Sequence, residues 1–341
     1  MDFKDNIRKL LYLGLSPLTL FKPRIKGYAV LVYHRITEDK LWDSELTPLL
    51  AVRISDFDEQ MNFLTKKFKV ISLSEIFGRI SNSITPDSLF VSITFDDGYA
   101  DNYLLGAPIL QKYMIRATIF VTAAFVEDNH LFPYWDELKL HAVAINNHIA
   151  CYDIDEKINH FDLSSLKGKK EFLSTVLKWY HKNPETVVTL LAELRRKVPR
   201  PIKATNSFFT WELLKEAAAS GIFEVGCHTM THPLFRFLQE NGNEEIYESK
   251  RLLESRLQLP VQFFSFPFGG SHLKNASIIA LLKKSGFKSA FTNNIGLNSE
   301  RENLFMLKRI PVLGGENISE LNSKLLGANV LNTIYSLTSK F

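Results

Sequence analysis

The stretch LFVSITFDDGY, residues 89–99, opens as seven residues dominated by apolar and β-branched side chains, then turns abruptly to two adjacent carboxylates and a glycine. A short apolar run bounded by a turn signal reads as a strand buried on both faces, the kind that a parallel sheet contains. Similar runs recur at Tyr28–Tyr33, Ala117–Val121, Ile222–Gly226, Val261–Phe266, Phe287–Phe291 and Arg309–Val312, with helical patterns between them. Strand and helix in alternation belong to a parallel α/β architecture. The expectation is a distorted parallel (β/α) barrel of about seven strands, carrying a helical insertion.

The helix after the first strand is signalled twice. Ser55 and Asp58 form a capping-box pattern, and Phe57, Met61, Leu64 and Phe68 repeat on one face. Further helices are expected at Asp101–Tyr113, Trp211–Ser220, Glu244–Leu257 and Ala276–Ser285, with Gly221 and Gly286 as C-terminal stops and Pro260 just past the third. Residues 28–126 and 205–315 therefore read as the barrel, 127–204 as three helical segments without a convincing strand, and 316–341 as a terminal helix and tail.

A chain of 341 residues with 45% hydrophobic content can bury a large core. Its 41 basic and 37 acidic residues leave a net charge of only +4, and no basic stripe interleaves with aromatics, which argues against nucleic acid as a partner. The densest basic stretch, Arg195, Arg196, Lys197, Arg200 and Lys203, reads as a solvated helix end, with an anionic lipid or glycan surface as the other reading. The two cysteines, Cys151 and Cys227, have no paired spacing, which leaves room for one bridge but no disulfide framework and favours a reducing compartment. Near the start, Arg8 and Lys9 precede the apolar stretch Leu10–Phe21, which contains Pro17 and runs into Lys22, Pro23 and Arg24. That stretch is about half the ~20 residues of a membrane span and lacks a small-residue cleavage site. Residues 1–27 are thus expected to be a docking or interfacial segment, and the sequence leaves peripheral membrane contact open. The expected location is the cytoplasm or the periphery of the inner membrane, with the cell envelope as the alternative.

Four strand ends carry the chemistry. Asp96 and Asp97 leave one strand in different directions, so one carboxylate can hold a metal while its neighbour accepts a proton; a plain turn is the other reading. His228 and His232 follow another strand, and one helical turn would bring them onto a common face. Neutral imidazole is the commonest metal ligand, and two histidines with a carboxylate would leave coordination positions open for water and substrate, although a pair of satisfied histidines is also consistent with the spacing. Pro267, Gly269 and Gly270 close a third strand and His34 a fourth. The C-terminal ends of barrel strands are where such folds build active sites.

Together TFDDGY, HTMTH and the phenylalanine-rich strand ending FPFGG resemble the motifs of the polysaccharide deacetylase, or NodB-homology, family, over about residues 28–125 and 208–312. The resemblance implies a divalent metal held by Asp97, His228 and His232, with zinc as the default and cobalt or nickel also suited to the donors. It implies Asp96 as catalytic base and the Phe268 backbone N–H as an oxyanion donor. Tyr99 and Pro267, within the motifs, and Trp135, in FPYWDEL, are the candidate substrate contacts; core packing is the alternative for Trp135. Ser265 stands where many members carry an arginine that tunes the base, so that partner is expected to be missing. Asn293 and Asn294 replace an Asp-Trp signature, and no histidine follows His272. Tyr33 and His34 are similar to a Tyr-His pair found in a permuted subset, which makes His34 the expected general acid. The implied reaction removes N-acetyl groups from an acetylated glycan and releases acetate. An O-acetyl esterase and a non-catalytic glycan-binding descendant are the alternatives.

Overall fold

A computed structural model describes residues 25–47, 49–128, 131, 133–145, 150–154, 157–180, 184–197, 207–234, 238, 240–269 and 276–327. The expected docking segment up to residue 24, Gly270, His272 and the tail from 328 lie outside the described residues. Among those described, no helix is long and apolar enough to cross a membrane.

The strands are β1 (Gly27–Tyr33), β2 (Arg35–Thr37), β3 (Ala51–Arg53), β4 (Lys69–Val70), β5 (Leu89–Phe95), β6 (Ala117–Val121), β7 (Ala150–Ile154), β8 (Lys157–Phe161), β9 (Phe223–Cys227), β10 (Phe263–Ser265), β11 (Ser289–Ile295) and β12 (Leu307–Pro311). Seven of them close a barrel in the order β1-β12-β11-β10-β9-β6-β5 and back to β1. Every one of these pairings is parallel. The short β4 borders the first half of β5, and β6 takes over along its second half.

Alternation along each strand builds two layers. Outward-facing Leu31, Tyr33, Ile93, Phe95 and Ile119 pack with Phe57, Met61, Leu64 and Leu214 from the surrounding helices. Tyr28, Val30, Phe90, Phe120, Phe263, Phe291 and Leu307 fill the interior together with Leu73, Ile76 and Ile80 of the helix Leu73–Ser81. That helix covers the end where β1 and β5 begin. Continuing the same alternation toward the strands' C-terminal ends, the interior turns polar: Ser92, Thr94, Ser265 and Arg309 are all fully buried. The barrel is thus an aromatic plug below and a polar floor above.

Local signals worked unevenly. The expected capping box at Ser55 is not formed: the helix runs Ile54–Lys67 behind Arg53, which makes no side-chain cap and instead pairs with Asp56 at 2.8 Å. The Ser55 hydroxyl is drawn away to Asp39, also at 2.8 Å. A complete capping box occurs at Ser72 and Glu75, where replacing Ser72 by alanine would cost about 1 kcal/mol. Gly221 and Gly286 do stop helices, at φ +75° and +81°, a region open to glycine and strained for other residues.

The chain divides into two compact units, one of residues 1–39, 49–127 and 208–341, the other of 40–48 and 128–207. In the second, the helices Tyr134–Ile145, Leu166–Tyr180 and Pro184–Lys197 bury Leu138, Phe172, Val176, Leu190 and Leu194. Arg195 grips the buried Glu137 through both carboxylate oxygens, at 2.6 and 2.8 Å. The insertion is not purely helical, because β7 and β8 form an antiparallel hairpin. Its charged residues Asp153 and Lys157 interrupt the apolar run by which the barrel strands announce themselves.

Candidate metal and catalytic centre

The two adjacent carboxylates diverge because the backbone changes hand between them. Asp96, the first residue past β5, still donates its N–H to the Tyr33 carbonyl of β1 at 3.0 Å, whereas Asp97 sits at φ 75° and Gly98 at φ 87°. Asp97 faces two imidazoles: its Oδ1 lies 3.4 Å from Nε2 of His228 and 3.3 Å from Nε2 of His232. Asp96 faces Arg309 across the barrel, with both carboxylate oxygens at 2.7 Å from the guanidinium.

His228 leaves β9 and sets its Nδ1 2.8 Å from the Ser265 carbonyl. A carbonyl only accepts, so Nδ1 carries the proton and Nε2 presents its lone pair. His232 reaches the same spot by a loop and not by the expected helical turn. Thr229 at φ 71° and His232 at φ 59° fold that loop back, and Thr229 Oγ1 accepts the His232 N–H at 3.0 Å. The pairing expected from the spacing is present, on a different backbone.

Asp97, His228 and His232 place three ligand atoms within 4.8 Å of one another, all buried. Among the described residues, neither oxygen of Asp97 accepts a hydrogen bond, although the residue is about 1% exposed. A buried carboxylate without donors, facing two imidazole nitrogens, fits a divalent cation. Burial opposes the charge on Asp97, yet the imidazoles of His228 and His232 outweigh it and hold the carboxyl below its ordinary range. Burial also lowers His232, which favours the neutral ligand form, while for His228 the Asp96 and Asp97 carboxylates overcome burial and raise it.

Arg309 is the residue that sequence reasoning missed. Ser265 does stand in place of an arginine, and its hydroxyl reaches Asp96 only at 3.4 Å. The expectation that the base lacks a cationic partner is nevertheless wrong, because β12 supplies one from the barrel interior. Arg309 is fully buried, donates Nε to the Thr292 carbonyl at 3.0 Å and Nη2 to Asn293 Oδ1 at 2.5 Å. Burial would raise the Asp96 carboxyl, but the charge of Arg309, that of His228, the hydrogen bonds from Arg309 and the charge of His34 together outweigh it and keep it lowered. Beneath the guanidinium lies the Phe120 ring, 5.7 Å away, and Gly226 makes room for that ring: a Cβ there would stand 2.5 Å from it. The signal was in the sequence, as a lone arginine within the strand LKRIP.

His34 follows β1 directly, and since Tyr33 pairs with Phe95 it leaves the barrel at the strand end next to the one that carries Asp96. Its carbonyl is anchored by Asn102 Nδ2 at 2.7 Å. Phe268 adopts φ 55° and sets its ring against His232, with centroids 4.7 Å apart; Pro267 before it is buried. Two expected substrate contacts are turned inward. Tyr99 is fully buried and stacks on Phe208 at 4.5 Å, under the Arg35 guanidinium. Trp135 is buried within the second unit with its edge to Tyr134. Neither ring offers a face for a sugar to stack upon, and both are packing residues.

The sequence profile of the family described as Polysaccharide deacetylase matches residues 84–290. YxkH of Bacillus subtilis, assigned as a polysaccharide deacetylase, is 27% identical over 145 residues, which is 42% of this chain and 46% of that protein. The chain therefore aligns with less than half the length of this relative. Among solved structures, the Streptococcus pyogenes deacetylase PplD in complex with acetate is 19% identical with a TM-score of 0.58, over 89% of this chain and 99% of that one. IcaB from Ammonifex degensii is 18% identical with a TM-score of 0.55, over 89% of this chain and 98% of that one. At these identities the structural likeness shows a shared fold.

Proposed function

The chain belongs to the polysaccharide deacetylase family, and from that premise we propose that it hydrolyses N-acetyl groups on amino sugars of a cell-surface or exported polysaccharide, using one divalent metal. The observation that carries the reading is the division of labour between Asp97, facing His228 and His232, and Asp96, locked to Arg309. Asp97, His228 and His232 would hold the cation. When bound, it would supply Lewis acidity to the acetyl carbonyl and to an attacking water.

Amide hydrolysis needs a base for the water, a stabilised oxyanion and an acid for the departing amine. Asp96 is the base: Arg309, with His228 and His34, keeps it ionised despite burial, and Arg309 fixes its orientation through two parallel hydrogen bonds. Phe268 sits in a left-handed turn with its ring against His232, and its backbone N–H takes the oxyanion role. His34, at the strand end next to the one that carries Asp96, is the acid that protonates the sugar nitrogen. Zinc suits two imidazoles and a carboxylate.

Ester hydrolysis would pass through a similar tetrahedral intermediate, so substrate choice decides between the two activities. The test is acetate release from matched N-acetylated and O-acetylated glycans, with and without a chelator. Chelator-sensitive release from the N-acetylated set, restored by zinc or cobalt, supports the reading; release from O-acetyl esters alone replaces it with an esterase, and none from any glycan refutes both.

A further inference from the structure

The loop carrying both histidines holds two non-glycine residues, Thr229 and His232, in the left-handed region. Such backbone persists only where its surroundings over-determine it. Its hydrogen bonds can be followed one by one. On the carbonyl side, Thr122 Oγ1 donates to His228 at 3.3 Å, and the N–H groups of Ala123 and Ala124 donate to Thr229 and Met230 at 3.1 and 2.9 Å. On the N–H side, His232 is taken by Thr229 Oγ1. The N–H groups of Met230 and Thr231 both go to one oxygen, Oε2 of Glu245, at 2.9 Å each. The second oxygen of Glu245 accepts the Thr231 hydroxyl at 2.6 Å.

Glu245 is 5% exposed and sits on a wide π-helical turn, Asn243–Glu248. Its own carbonyl accepts the Ser249 hydroxyl at 2.7 Å, and that hydroxyl lies 3.1 Å from Cys227 Sγ at the end of β9. One turn of helix therefore grips both the strand end that precedes His228 and the loop that leads to His232.

We propose that Glu245 is a positioning residue for the metal centre, setting the separation of His228 and His232 by holding three donors of the loop between them. The proposal rests on the reading that these histidines hold a metal. A carboxylate suits the task because a single oxygen can accept two converging N–H groups, and its charge strengthens each bond. Glutamine keeps an acceptor oxygen in place and alanine keeps none.

Two measurements test it on the full chain. The first is amide hydrogen exchange on metal-free protein: Glu245→Ala should exchange faster across residues 229–232, while Glu245→Gln stays near the wild type. The second is zinc affinity by chelator competition, with the cobalt absorption spectrum as a report on ligand geometry. Glu245→Ala should lose about 10- to 100-fold in affinity with an altered spectrum, the usual cost of removing a residue that orients a ligand. Glu245→Gln should recover most of both. Should Glu245→Ala fail to fold, Glu245→Asp, with its carboxylate withdrawn by one carbon, takes its place under the same criteria. Wild-type exchange protection in the folded alanine or aspartate variant overturns the proposal, as do an unchanged zinc affinity and spectrum. A wild-type chain that takes up no zinc would sink the metal reading instead, and the exchange comparison would still decide whether Glu245 fixes the loop.

Discussion

Replacing Arg309 by methionine leaves Asp96 as a buried carboxylate without its cation. The pair is joined by two charge-assisted hydrogen bonds of 2.7 Å, and both side chains are about 1% exposed or less. Two such bonds at about 1.5–3 kcal/mol each amount to roughly 3–6 kcal/mol, in line with the ~3–5 kcal/mol typical for breaking a buried ion pair from one side. The loss should depend on pH. In the wild type Asp96 is lowered in the folded state, so its stabilisation is present above the unfolded carboxyl value near pH ~4 and fades as pH falls through the folded value. With Arg309 gone, burial raises the carboxyl, so the penalty is full at neutral pH and shrinks toward pH ~4 as folded Asp96 protonates. Urea unfolding of metal-free protein at pH 7 and pH 5 measures this. The double variant Arg309→Met with Asp96→Asn should be more stable than Arg309→Met alone, because the uncompensated charge is gone. A single-variant loss below about 1 kcal/mol, or one equal at both pH values, would refute the reasoning, since it would place Arg309 within the range of a surface ion pair.

Asp96→Asn should retain the metal and lose about 100- to 10,000-fold in turnover, the range of general-base contributions, whereas Asp97→Asn should lose the metal itself; equal metal loss in both would merge the two roles. His34→Gln should slow amide hydrolysis by about 100-fold or more and spare an activated aryl acetate, whose leaving group needs little protonation, so parallel losses on the two substrates would retire His34 as the acid. Gly226→Ala should destabilise by about 1–3 kcal/mol, because its Cβ would meet the Phe120 ring at 2.5 Å and push it toward Arg309; an unchanged melting temperature would show that the ring moves freely.

The barrel was legible because parallel strands buried on both faces leave continuous apolar runs. Leu89–Phe95 and Ala117–Val121 have the boundaries read from sequence, and the other five barrel strands shift by a few residues at their ends. The Asp97, His228 and His232 grouping was legible for a similar reason, since each ligand directly follows or closely trails a strand end. What sequence could not convey depended on competition or distance. Asp39 outbids the helix terminus for the Ser55 hydroxyl, an interaction across 16 residues. Arg309 meets Asp96 across 213 residues, and only the closed barrel brings them together. The histidine spacing pointed to the right partners through the wrong conformation, because four residues can fold back through left-handed backbone as well as through a helical turn. Tyr99 and Trp135 carried rings suited to sugar stacking, but packing buries both.

The central claim is that Asp97, His228 and His232 hold a divalent metal on which acetate release depends. Its most direct test is elemental analysis of active protein, set beside a double variant, His228→Ala with His232→Ala, shown to be folded. The account predicts one equivalent of divalent metal per chain in the wild type, none in the variant, and acetate release that follows metal content. Full metal content in the variant, or activity in wild-type protein stripped of metal, would contradict it.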